Sequence, residues 1–192
     1  MAAYYYLRST LPTLLSGSPP PFSSRGLLER CEGRMRPADY LVLQSALSDH
    51  PFADVASETR RSRALFRYRA WEKGLRNELT RIRAGRTGKT PERYLRSGDP
   101  EWDGIRVARA AAQCEDPLEG ELLIERERWA CLERLETGHF FDLEALVAYA
   151  LKLRVLERKA LFDSERGEGV YTAAYREILS AARTTSQADK TT

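Results

Sequence analysis

Apolar positions recur at intervals of three and four along most of this chain, the spacing that sets them on one side of an α-helix. The most apolar continuous segment spans residues 141–163, FDLEALVAYALKLRVLERKALFD. Its Leu143, Leu146, Val147, Ala150, Leu151, Leu153, Leu156, Ala160 and Leu161 cover more than one narrow stripe. A helix apolar over that much of its circumference needs neighbours on two sides, so it reads as the element around which the others pack. Asp142 is placed to accept from the free N–H groups of the first turn, and Glu144 suits the positive end of the helix dipole.

The same pattern divides the rest of the chain. Tyr4, Tyr5, Tyr6 and Leu7, closed by Leu11 and Pro12, read as a short strand or one or two helical turns, with the aromatic residues favouring the strand. The SGSPPP run at 16–21 cannot continue either form, because proline lacks the N–H and holds φ near one value, so it is a linker or surface arm. A short amphipathic helix follows over about 24–32 and stops at Gly33; Pro37 opens the next, whose buried face is Leu41, Val42, Ala46 and Leu47. A long helix over about 57–84 carries the seam Leu65, Tyr68, Trp71, Leu75, Leu79 and Ile82.

Beyond Gly88 the pattern predicts a turn near Tyr94 and a helix over about 103–114, whose alanines allow close approach to a neighbour. Asp116, Pro117 and Glu119 mark a helix start with cap, first-position proline and third-position glutamate. That helix ends at Gly138, so close to the segment at 141–163 that the two lie antiparallel. A last amphipathic helix uses Val170, Tyr171, Ala174, Tyr175, Ile178 and Leu179. The fold class is therefore all-α: a bundle of antiparallel helices in one domain over 1–183, with an N-terminal extended or helical arm and linker in 1–22 and a disordered tail at 184–192.

Composition narrows the class. At 192 residues, 42% hydrophobic and 31% charged, the chain can bury a real core. No window reaches the ~18 consecutive apolar residues of a membrane span, and three early tyrosines with Arg8 do not form a secretory signal, so the reading is cytoplasmic. Cys31, Cys114 and Cys131 are scattered, with only His50 and His139 as co-ligands, which fits buried thiols rather than disulfides or zinc.

Charge is segregated. Residues 60–89 hold eleven Lys and Arg against Glu72 and Glu78, a net +9, and residues 99–144 hold thirteen Asp and Glu against five Arg, a net −8. The basic helix can lie along the acidic pair inside the bundle, or face outward as a stripe for an acidic protein surface or a nucleic acid.

Catalytic candidates are few. GRTGKT at 85–90 ends like a phosphate-binding loop, but Arg83 stands where that motif needs glycine and a helix precedes it where it needs a strand. Neither histidine has a Ser or Cys beside it in a recognisable arrangement. Glu125 points partly inward and reads as a paired carboxylate near the basic helix. No catalytic, cofactor or metal site follows, and no small-molecule substrate.

YYYLRSTLP, the Pro-rich break before Phe22, RYRAWEKGLRNELTRIRAGR and the segment DPLEGELLIERERWACLERLETGHFFDLEALVAYALKLRVLERKALFD together resemble a family of small bacterial helical proteins encoded beside V/A-type ATPase subunits. These look like a reduced version of the C-type subunit of that enzyme, equivalent to the d-type subunit of the eukaryotic V-ATPase, which seats the central stalk on the membrane rotor ring. The resemblance implies a non-enzymatic accessory subunit without a cofactor, acting in proton or sodium transport through contacts with stalk or rotor subunits at the cytoplasmic face of the membrane. Tyr4, Tyr5, Tyr6, Arg63, Arg67, Lys73 and Arg76 are the expected partner contacts. The alternative is a basic helical nucleic-acid-binding protein.

Overall fold

A computed structural model of the chain describes residues 4–48, 61–97, 102–161 and 175–176. Within them the backbone forms helices and no strand. In order these are α1 (Tyr5–Ser9), α2 (Ser24–Cys31), α3 (Pro37–Leu47), α4 (Arg63–Thr87), a 3-10 turn (Pro91–Tyr94), α5 (Trp102–Gln113), α6 (Pro117–Glu136) and α7 (Leu143–Lys159). The protein is all-α. The chain divides into two units, residues 1–157 and 158–192. In the second, Tyr175 and Arg176 are helical and exposed, while the rest of the helix expected around Val170 to Leu179 lies outside the described residues, as do His50, the expected start of the long helix near residue 57 and the tail.

α7 is the core element that its composition calls for. From Ala145 to Leu156 every residue except Arg154 is buried. One hydrophobic cluster gathers around it, with Leu7 of α1, Leu27 and Cys31 of α2, Val42 and Leu43 of α3, Leu65 of α4 and Trp129 and Leu132 of α6. A second cluster joins α4, α5 and α6 through Trp71, Leu75, Val107, Ala108, Ile124 and Cys131. The long-helix seam shows both depths: Leu65, Trp71 and Leu75 are fully buried, and Tyr68, Leu79 and Ile82 are half-buried. On α3, Val42 and Ala46 are buried as expected, whereas Leu41 faces outward.

Two carboxylates of α7 cap other helices. Glu144 accepts from the Arg63 and Ala64 N–H groups at 3.0 and 2.8 Å and from the Ser62 hydroxyl at 2.8 Å, and Ser62 Oγ in turn accepts from Leu65 N–H. At the other end of α7, Glu157 accepts from the Ser24 N–H at 2.6 Å and from its hydroxyl. The first N–H groups of a helix have no partner within it, so each contact fixes the place where α4 or α2 begins. Asp142 does the same for α7 itself, accepting from Ala145 N–H at 3.0 Å, and Asp116 for α6, accepting from Leu118 N–H at 2.9 Å.

The N-terminal stretch is helical, against the preference for a strand. Tyr4, Leu7 and Leu11 are the buried positions, spaced by three and four, and this helical period outweighs the β-propensity of the tyrosines. The Pro-rich run at 16–21 lies at the surface, with Ser16 to Pro19 and Pro21 exposed, and its flanks are anchored: Leu14 and Phe22 pack on the main cluster, the Tyr149 hydroxyl donates to the Pro12 carbonyl at 3.0 Å, and Tyr4 N–H donates to the Phe141 carbonyl at 2.9 Å.

Candidate interaction surface

Seven residues expected at a partner surface fall into three groups. Tyr4 turns inward: it is 6% exposed and its hydroxyl donates to Asp39 Oδ2 at 2.5 Å, while Arg61 reaches the other oxygen of the same carboxylate at 3.3 Å. This corrects its placement among the contacts, because one turn of helix cannot present three consecutive side chains to one side. Lys73 and Arg76 are partly engaged inside the molecule, Lys73 donating to the Ser97 carbonyl at 3.0 Å and Arg76 to Glu72 at 2.8 Å. Tyr5, Tyr6, Arg63 and Arg67 are exposed.

Tyr5 belongs to a larger aromatic end, whereas Tyr6 lines a separate depression with Tyr4, Leu7 and Arg34. The α6–α7 loop brings Phe140 and Phe141 beside α1, with the Tyr5 and Phe141 rings 4.6 Å apart and Phe140 70% exposed. Next to them opens a cleft of about 580 Å³ lined by Arg8, Glu136, His139, Phe140, Phe141 and Lys152. Glu136 sits between Arg8 at 3.2 Å and Lys152 at 2.5 Å, and the Lys152 ammonium lies 5.2 Å from the centre of the Trp129 ring. His139 Nδ1 is 2.6 Å from Asp142 Oδ2; burial would raise the Asp142 carboxyl, but the His139 contact and the Ala145 N–H bond hold it below its ordinary value. Phe140 and Phe141 carry no periodic signal in the sequence, since they sit in a loop; what exposes them is the sharp reversal after Gly138, whose φ of 85° favours glycine.

The second surface is the outer side of α4. Its two carboxylates, Glu72 and Glu78, are both buried. Arg128 of α6 grips Glu72 with two bonds, Nε to Oε2 at 2.9 Å and Nη2 to Oε1 at 2.8 Å, and directs its Nη1 to Glu125 at 2.6 Å. Arg109 of α5 meets Glu78 at 2.8 Å. Internal pairing thus runs opposite to the gross charge: the few acids of the basic helix meet arginines of the acidic stretch. Glu125 is the paired, inward carboxylate that its position suggests.

No family model, curated protein or solved structure matches the chain.

Several of these groups are held in one protonation state at neutral pH. Burial opposes ionisation of Glu72, but the Arg128 and Arg76 guanidinium groups overcome it and draw its carboxyl down from 4.5 to about 2, so it is a poor proton acceptor at neutral pH. The Cys31 thiol is pushed up to about 11 by burial, which keeps it protonated and unreactive. The GRTGKT segment is a helix end: Gly85 to Thr87 complete α4, and Gly88, with φ 63°, lets the Lys89 N–H turn back to the Ala84 carbonyl at 3.0 Å. Among the described residues no group of three or more His, Cys, Asp or Glu is placed to hold a metal ion, and no helix is long and apolar enough to cross a membrane.

Proposed function

We propose that this chain is a non-catalytic accessory or central-stalk-associated subunit of a V/A-type ATPase, serving proton or sodium transport through protein–protein contacts at the cytoplasmic face of the membrane. The resemblance carried by the YYYLRSTLP opening and the segment from Asp116 to Asp163 supplies the partner. The mode of action rests on the aromatic end, where Tyr5, packed on Phe141, and Phe140 are 60% and 70% exposed beside a charged cleft. Solvated aromatic rings next to a cleft are the composition of an interface core, where aromatic residues are enriched and carry much of the binding energy.

The test is co-purification of the tagged chain from cells expressing the complex. Stalk or rotor subunits are retained by the native chain and lost when Tyr5→Ala and Phe140→Ala are combined, with helical content unchanged. A pull-down that yields none of those subunits removes the assignment. A second reading, nucleic-acid binding, is favoured by the exposed Arg63, Arg67, Arg83 and Lys89 of α4 and its end. It requires duplex affinity that falls steeply with salt; no binding at low salt eliminates it.

A further inference from the structure

We infer that the outer face of α4 is a docking surface for an acidic amphipathic helix of a partner protein. This rests on the reading that the chain works by protein contact, and names the chemistry of one partner. Arg63, Phe66, Arg67, Ala70 and Lys73 are spaced by three, one, three and three residues, which places them on one side of the helix over about three turns. Phe66 is 57% exposed and Ala70 half-buried at the centre of the strip, and the cations stand along it. Phe66 falls just after Leu65 and so off the buried seam; its ring is free to meet another surface.

Nothing within α4 neutralises this face. Glu72 and Glu78 are turned into the bundle and engaged by Arg128 and Arg109, and both carboxylate oxygens of Glu144 are committed to the start of α4. Arg63 and Arg67 make no ion pair among the described residues. The complement of an apolar line rimmed by cations is a helix with an apolar seam rimmed by carboxylates. Two α4 faces cannot pair with each other, since that would set arginine against arginine. A phosphate backbone would satisfy the cations and leave Phe66 and Ala70 without an apolar partner.

The test places the photo-crosslinking residue p-benzoylphenylalanine at position 66 of the full chain, a substitution that keeps an aromatic ring at an exposed site. Adducts formed in cells are mapped by mass spectrometry. The expected product is a protein segment in which carboxylates flank an apolar seam at helical spacing. Combining Arg63→Glu with Arg67→Glu lowers the yield about tenfold or more, while Arg63→Lys with Arg67→Lys retains most of it, as charge complementarity requires. Both pairs are compared at equal helical content and melting temperature. Adducts to nucleic acid, to a second copy or to a segment without carboxylates overturn the inference. So does the absence of any adduct, or a yield indifferent to charge reversal. An acidic helix from a protein outside the V/A-type ATPase leaves the docking surface standing, while the ATPase assignment is decided by the co-purification test on the aromatic end, so the two readings fail separately.

Discussion

Arg128 is the residue on which the α4–α6 contact turns. It is 6% exposed, and its guanidinium holds two carboxylates that are themselves 4% and 3% exposed, Glu72 and Glu125. A buried ion pair contributes little relative to a well-packed apolar pair, but removing one partner leaves uncompensated charge. Arg128→Met should therefore cost about 3–5 kcal/mol in urea unfolding at neutral pH, far more than its lost packing. The pH dependence has a definite sign. The Glu72 carboxyl lies lower in the folded chain than in the unfolded one, so its contribution is complete above about 4.5 and is lost as pH falls toward about 2. Glu72→Gln should flatten the fall of stability across that window; an acid limb of unchanged slope would show that Glu72 is not its source. The inward position of Glu125 is readable from its helical spacing to Trp129, although Leu122, its other expected neighbour on that face, is 38% exposed. That Glu72 turns inward while the arginines around it face out is not, because a charged residue carries no hydrophobic signal and only a cation on another helix makes its burial tolerable.

At the scale of elements, α5 approaches its neighbours to backbone contact as well as burying Ile105 and Val107. A Cβ on Gly104 would lie 2.6 Å from the Trp71 carbonyl oxygen and 2.9 Å from the Leu75 nitrogen, and one on Gly120 would lie 2.9 Å from the Ala111 carbonyl oxygen. The alanines of α5 announce close approach in the sequence, but Gly104 reads there only as a weak helix residue. Gly104→Ala should raise the separation of α4 and α5 and cost about 1–3 kcal/mol, the range for overpacking. Gly85→Ala is the control: a Cβ there meets nothing within 4 Å, and it lies in the last turn of α4. It should stabilise by about 0.4–1 kcal/mol through reduced freedom of the unfolded chain. Equal effects of the two substitutions in thermal melts would contradict the close crossing.

For the whole molecule, α7 acts as a rod that starts two other helices. Glu144 lies in its first turn and Glu157 near its end, and each carboxylate closes the N–H groups of a helix distant in sequence. Hydrogen exchange separates the two roles. Glu144→Ala should speed exchange at the first amides of α4 and destabilise by about 1–2 kcal/mol, leaving α2 protected. Glu157→Ala should open the start of α2 and leave α4 protected. Uniform acceleration from either substitution would mean that the contacts serve global packing and not local helix starts.

The order of helices, the central place of α7 and the helix ends at Asp116, Gly33 and Gly88 follow from local chemistry: apolar period, capping oxygen and left-handed glycine are properties of a few adjacent residues. The aromatic end and the bare face of α4 do not. Phe141 meets Tyr5 only because a loop folds back on α1. Arg63 and Arg67 are left without an ion pair among the described residues because the carboxylates of their own helix are drawn inward by arginines from α5 and α6. Local sequence decides where helices start and stop and which of them carry an apolar side; which charges leave water and which remain in it depends on how distant helices are placed against one another, and that is settled by the packed structure.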